Sequence, residues 1–389
     1  MSLIIFGDAF TFPEGNASTN RVFTYAKGFA ENGKSTYVVT LGNDYQNNKE
    51  GVIEGIHYHV AFKPVYKCKN FLKRNFPKFN KYFNALKVIN QIQRKEPVTA
   101  IIVYTKNLTT HILIFFLSRY LGAKLVIENS EHPLRYYRHG AINRIIGKMR
   151  LFIELHTFDG ILLITQNLME FYKNKVRNDQ KMLLVPSTVD PSRFVHAKSG
   201  MLAYEYIGYF GYLNFHRDRL DILLRAFANV INKHPDIHLV MGGALRDEDR
   251  NLILDLIEKL QITDKVHLLE YLKRDEVTRY FVDAKILVLV RSDHPDTNAS
   301  YPSKLTEYLA TGNPVISVNV GEIPNYLKNN ENAFLFKPND SDDLIDKLNF
   351  VLDNYEFAQK VGQSGKKLTN HIFNYNYQSK RIIEFIESI

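Results

Sequence analysis

The densest run of chemistry-bearing residues in the 389-residue chain is Asn298-Ala299-Ser300-Tyr301-Pro302-Ser303-Lys304-Leu305-Thr306-Glu307-Tyr308-Leu309-Ala310-Thr311-Gly312-Asn313-Pro314-Val315-Ile316. Proline suits the first turn of a helix, where its missing N–H is not needed, and glycine suits the end. A helix is therefore predicted between Pro302 and Gly312. On it Leu305, Tyr308 and Leu309 share an apolar face. Lys304, Glu307 and Thr311 fall at i, i+3 and i+7 on another, with Ser303 four residues before Glu307. Unsatisfied N–H groups, the positive end of the helix dipole, a hydroxyl and an ammonium converge at one helix start, which is chemistry suited to a diphosphate. One turn deeper, a carboxylate can accept hydrogen bonds from two neighbouring ribose hydroxyls. Taken alone, the Lys304–Glu307 spacing equally suits a solvated ion pair. The Pro-Ser opening and Gly-Asn-Pro ending set it apart.

Other segments offer weaker signals. Gly208-Tyr209-Phe210-Gly211-Tyr212-Leu213, then Arg217-Asp218 and the apolar Leu220–Ala226, reads as strand, tight turn, cation and helix. Arg217 by itself also reads as a surface residue. Leu239-Val240-Met241-Gly242-Gly243 ends an apolar run on a glycine pair, where backbone can approach a ligand closely or simply turn. Phe12-Pro13-Glu14-Gly15-Asn16-Ala17-Ser18-Thr19-Asn20-Arg21 opens the first helix. Gly15 there admits a close phosphate, and an ordinary serine or asparagine cap is the competing reading. Glu128-Asn129-Ser130-Glu131-His132-Pro133 follows a strand. Glu131 and His132 are a pair of types suited to general acid–base work, against a plain capping carboxylate and surface histidine.

The elements that must position these residues alternate between short apolar runs and longer amphipathic stretches, which signals parallel α/β architecture. Strands are predicted at Leu3–Gly7, Thr36–Leu41, Ala100–Tyr104, Lys124–Ile127, Gly160–Thr165 and Met182–Val185, with a helix from Ala17 to Asn32 closed by Gly33. The alternation restarts with Tyr204–Phe210, Ile237–Met241, Val266–Leu269, Ile286–Val290, Val315–Val318 and Ala333–Phe336. The join falls near the proline-flanked segment Pro186–Pro191. Two doubly wound α/β domains facing a central cleft are expected, with ligands at the carboxyl ends of both sheets.

A hydrophobic fraction of 45% and a charged fraction of 23% are those of a folded chain. No apolar run approaches the ~18–20 residues that span a bilayer. The N-terminus lacks a basic n-region, and Cys68 is the single cysteine, so a cytoplasmic protein is expected. The net charge of +9 concentrates in residues 63 to 87, which hold Lys63, Lys67, Lys69, Lys73, Arg74, Lys78, Lys81 and Lys87 without an acidic residue. Aromatic residues are interleaved with them. This suits peripheral attachment to the inner face of an anionic membrane, with Arg135-Tyr136-Tyr137-Arg138 extending the face. A solvated basic loop fits equally well. No nucleic-acid module accompanies the pattern, so a nucleic-acid partner is not expected.

The Gly208–Asp218 turn, the Gly242-Gly243 pair and the Pro302-to-Ile316 run, in that order along the chain, resemble glycosyltransferase family 4, the group 1 glycosyl transferases, a retaining family with the GT-B fold. The resemblance covers nearly the whole chain and is strongest between about residues 204 and 337. It implies that Ser303, Lys304 and Arg217 contact the donor diphosphate, that Glu307 binds ribose, and that Gly15 belongs to a first phosphate-facing loop. Glu131 or His132 would face the transferred sugar or the acceptor. Where the family often has a glutamate eight residues before Glu307, this chain has Ala299. Asn325 in Gly321-Glu322-Ile323-Pro324-Asn325 stands where a glutamate is common. The resemblance further implies an acceptor-binding domain over 1–195, a nucleotide-sugar-binding domain over 196–370, and a C-terminal helix in 371–389 crossing back to the first domain. The expected activity is metal-independent, hexosyltransferase-type transfer from a nucleotide-diphosphate sugar to a glycan or lipid-linked acceptor, in polysaccharide or glycoconjugate synthesis. No cofactor and no bound metal are expected, since no Asp-x-Asp stands at a strand end. A nucleotide-sugar epimerase on the same fold and a non-catalytic, membrane- or nucleic-acid-binding relative remain open.

Overall fold

A computed structural model describes residues 2–42, 47–62, 71–133, 140–177, 180–195, 197, 200–270 and 272–389, with backbone alone for 71–79 and 296. The chain divides into two compact units, Met1–Thr188 with Tyr375–Ile389, and Val189–Asn374.

The first unit is built on β1 (Ser2–Gly7), β2 (Ser35–Thr40), β3 (Glu50–Ile53), β4 (Ile56–Val60), β5 (Val98–Tyr104), β6 (Lys124–Asn129), β7 (Gly160–Leu163) and β8 (Lys181–Leu184). They form one sheet in the order β3-β4-β2-β1-β5-β6-β7-β8. All pairs are parallel except the β3–β4 hairpin at the edge. That hairpin is not expected from the sequence, because its half-exposed strands carry polar residues and lack a continuous apolar run. β1 is buried along its whole length, as a strand covered on both faces should be. Helix Ala17–Glu31 lays Val22, Ala26 and Phe29 into the core, and Asn32 and Gly33 end it. Helix Tyr375–Ser388 packs on it and adds Ile382, Phe385 and Ile386 to the same core. Gly28 is small for this reason: a Cβ there would meet Ser379 Oγ at 2.1 Å.

The second unit contains β9 (Tyr206–Phe210), β10 (His238–Gly242), β11 (Val266–Leu269), β12 (Ile286–Leu289), β13 (Val315–Val318) and β14 (Phe334–Phe336). The order is β11-β10-β9-β12-β13-β14 and every pair is parallel. Counted within the unit this is 3-2-1-4-5-6, the order of dinucleotide-binding folds, whose direction reverses between the first and fourth strands. That reversal lies between β9 and β12, and ligands of such sheets bind there, beyond the carboxyl ends.

The division falls at Thr188–Val189 and Asn374–Tyr375, inside the Pro186–Pro191 segment on one side, in place of the expected 195/196 and 370/371 limits. Val189 N–H donates to Phe373 O at 2.9 Å, which ties residues 189–195 to the second unit. Before the boundary, Arg21 holds the last residues of the first unit by donating to Val185 O and Pro186 O, with its Nε on Glu128 at 2.8 Å.

Candidate functional site

The helix predicted after Pro302 runs Ser303–Thr311 and stops at Gly312, whose φ is 83°. Leu305, Tyr308 and Leu309 are fully buried. Tyr308 does more than fill space: its hydroxyl accepts from Phe210 N–H at 2.7 Å and donates to Phe210 O at 3.0 Å. This fixes the helix against the carboxyl end of β9. The N-cap residue is Pro302, and among the described residues no side-chain cap hydrogen bond is made at the helix start.

Lys304 leaves that start and crosses to β9. Its Nζ donates to the Tyr209 hydroxyl at 2.8 Å and lies 4.1 Å from the centre of the Tyr209 ring. Gly211 faces the same ammonium; a Cβ there would meet Lys304 Cε and Nζ at 3.0 Å, and its φ of 133° suits glycine. Burial pulls the Lys304 pKa down to about 8; Asp218 opposes this, whereas the nearby Arg291 and Arg217 reinforce it. Burial pushes the Tyr209 phenol well above its usual range, with the Asp218 carboxylate hydrogen-bonded beside it. Lys304, Tyr209 and Asp218 thus form a chain in which a cation is held short of full compensation.

Arg217 lies on the exposed turn after β9. Its carbonyl accepts from Ser292 N–H at 2.9 Å, joining this turn to the loop after β12. The two loops flanking the sheet reversal are therefore bound together with Lys304 between them. Arg291 escapes a reading of the sequence, since one arginine at a strand end carries no pattern. It is buried and donates to Ser300 O and Ser300 Oγ, holding the turn before the helix. At that turn Ala299 is buried. Asn298 Oδ1 and Tyr301 Oη are buried without a hydrogen-bond partner among the described residues, an exception to the rule that buried polar atoms are satisfied.

Glu307 is not a solvated partner of Lys304. Its Oε1 accepts from Arg193 Nη1 at 3.0 Å, and Arg193 Nη2 also donates to Thr278 Oγ1 and Arg274 O. Arg193 lies more than a hundred residues upstream, so helical spacing carries no sign of it. Thr311, grouped with Lys304 and Glu307 by spacing, instead donates to Tyr308 O and accepts from Asn313 N–H at the helix end.

Two glycine expectations change. Gly243 is needed by the protein itself, because a Cβ there would lie 1.8 Å from Gly211 O. At Gly15 the space beside the backbone is filled by the hydroxyls of Thr11 and Thr19, and Asn16 caps the following helix through Ser18 N–H. The capping reading fits that loop. Glu131 and His132 follow β6 in the first unit. Glu131 accepts from Lys106 Nζ at 2.9 Å, and His132 packs edge-on against Phe171. Asp8, which no motif marks in the sequence, follows β1 and is bound by Thr105 and Thr110. Lys67, Lys69 and the Arg135–Arg138 run lie outside the described residues; Lys73, Arg74 and Lys78 lie on helix Phe71–Lys95, in the part given by backbone alone. Among the described residues no cluster of His, Cys, Asp and Glu suits a metal ion.

The fold is that of GT-B chains, and the helix start carrying Lys304 lies at the sheet reversal of its second unit. Residues 194–368 match the family model of glycosyl transferases group 1. The chain is similar to one of the subunits of the human phosphatidylinositol N-acetylglucosaminyltransferase, 21% identical over 330 residues, covering 82% of this chain and 63% of that protein. Sucrose-phosphate synthase from Thermosynechococcus elongatus superposes with a TM-score of 0.75 at 14% identity, over 100% of this chain and 98% of the other. Anabaena HepE, solved in complex with UDP and glucose, gives 0.72 at 14% identity over 100% of both chains. At such identities the two structures speak for the fold. The chain spans less than two thirds of the length of the human relative.

Proposed function

We propose that the chain transfers a sugar, with retention, from a nucleotide-diphosphate sugar to a glycan or lipid-linked acceptor. The observation that carries this reading is Lys304, a partly buried ammonium at an uncapped helix start, beside Arg217 and Arg291 and at the reversal of a dinucleotide-type sheet. A diphosphate leaving group gains negative charge as the glycosidic bond breaks, and fixed cations and N–H groups at that point lower the barrier. Glu307, braced by Arg193, presents a carboxylate one turn down the helix for the ribose hydroxyls. The cations in this reading are the chain's own, so transfer should survive chelation of divalent metals. Ser303 contributes its hydroxyl and N–H at the helix start, and Glu131 and His132 serve the acceptor. The solution of HepE with UDP and glucose supports a nucleotide sugar as donor, and the human relative's name supports a lipid-linked acceptor. The test is a screen of nucleotide sugars with product analysis by NMR: a transferred or hydrolysed sugar of retained configuration supports the reading. An epimerised donor with no transfer points to an epimerase.

Two expectations arise here. Glu307→Ala should weaken nucleoside diphosphate binding about 10- to 100-fold, the cost of hydrogen bonds to a charged acceptor; calorimetric affinity equal to the parent's rejects the ribose role. The second concerns pH. The Lys304 pKa is lowered to about 8 in the free protein, so the charged form is strained, and a bound diphosphate stabilises that form and raises the pKa. Binding therefore takes up protons near and above pH 8. Affinity should fall by up to ~tenfold per unit as pH rises beyond about 8, and Lys304→Arg should flatten the profile.

A further inference from the structure

The helix Ala141–Thr157 inverts the usual amphipathic rule, which puts apolar residues inward and charges outward. It buries Arg150 and Glu154, joined at 2.8 Å, and exposes Ile142, Ile145, Met149 and Phe152. These four recur at spacings of three, four and three, so they form one stripe. Phe152 is 61% exposed and Ile142 75%. Arg144 and Lys148 border the stripe, and the helix has no acidic residue except the buried Glu154.

The stripe does not stand alone. Helix Leu108–Leu121 packs against Ala141–Thr157 and exposes Ile112, Phe116 and Tyr120; it too has no acidic residue. Ile112, Phe116 and Tyr120 line an apolar groove with Leu86 of helix Phe71–Lys95. Half of the sixteen exposed large apolar side chains among the described residues lie on these three helices. A surface of this extent marks an interaction site.

We infer that this three-helix face of the first unit docks on an anionic lipid surface, with Ile145, Met149 and Phe152 entering the headgroup–acyl boundary and Arg144 and Lys148 meeting lipid phosphates. Charge argues for lipid over a second copy of the chain. A two-fold contact presents the same patch to itself, which would set the Arg144 and Lys148 of one copy against those of the other. An anionic bilayer neutralises them. Among the described residues no helix is long and apolar enough to cross a membrane, so the helices lie on the surface, as amphipathic helices with cationic flanks do. The basic, aromatic stretch 63–87 runs into helix Phe71–Lys95, and 135–138 precedes helix Ala141–Thr157; both have the same chemistry in sequence.

The inference needs no donor sugar and stands apart from the transfer reading. The test is flotation of the full chain with phosphatidylcholine vesicles, with and without phosphatidylglycerol. Binding is expected with phosphatidylglycerol. Ile145→Ser with Phe152→Ser should weaken it at least ~tenfold, and Arg144→Glu with Lys148→Glu should remove the preference for anionic lipid. All four sites are exposed, so both variants should keep the parent's melting temperature and nucleotide affinity. No flotation of the parent chain, or flotation of the serine variant equal to the parent's, overturns the proposal. So does a dimer in sedimentation that the same serines dissociate.

Discussion

Lys304→Ala is expected to lower the turnover of nucleotide-sugar cleavage by about 10²- to 10³-fold, the range seen when one preorganised donor to a developing oxyanion is removed. The loss follows from where the ammonium sits. Tyr308 pins the helix to Phe210 through both backbone groups, and Tyr209 and Gly211 hold the Lys304 side chain over the end of β9. Arg217 and Arg291 remain in the variant, so ground-state binding should weaken less than turnover falls. The variant should fold as well as the parent. Without ligand the charge is strained, and a group whose folded pKa lies below its unfolded value detracts from stability below about pH 8. A melting temperature at or above the parent's, with turnover lost, separates this role from a structural one. Unchanged turnover would remove Lys304 from the site.

Glu154→Ala should destabilise the first unit by about 3–5 kcal/mol, the usual result of stripping one partner from a buried ion pair. Glu154 is fully buried and serves several elements at once. Arg150 Nε and the Tyr172 hydroxyl donate to its two oxygens, and His111 Nε2 lies 3.3 Å away. Asn129 of β6 donates in turn to Tyr172. Burial alone would raise the carboxyl pKa, but Arg150, His111 and Tyr172 together hold it down to about 2. A depressed carboxylate contributes stability that is complete above its unfolded pKa of about 4.5 and is lost as pH falls toward 2. Denaturant titrations at neutral pH and near pH 3 check both points. The parent should lose stability between the two pH values, and the variant should lose less. An equal loss in both would assign the acid sensitivity elsewhere. The same network keeps helix Ala141–Thr157 in place while its apolar side faces outward.

The strand-and-helix alternation is legible in the sequence because buried parallel strands are short apolar runs and their helices repeat every three to four residues. The β3–β4 hairpin is not, since its edge strands mix polar and apolar residues. In the site, Lys304 and Glu307 are visible through a local pattern, proline to glycine across a single helix. Arg193 and Arg291 are not, because their contacts depend on tertiary placement and leave no spacing in the chain. Glycine is the least reliable guide. Gly211 does face the Lys304 ammonium, but Gly243 is small because Gly211 approaches it, and the space at Gly15 belongs to Thr11 and Thr19. A glycine records that something comes close, without saying what.

The most direct test is isothermal titration calorimetry of the full chain with a panel of nucleoside diphosphates, repeated on Lys304→Ala. One nucleoside diphosphate should bind with proton uptake near pH 8, and the variant should bind it more weakly and without the uptake. Failure of every nucleoside diphosphate to bind, or equal binding by the variant, would contradict a donor site at this helix start.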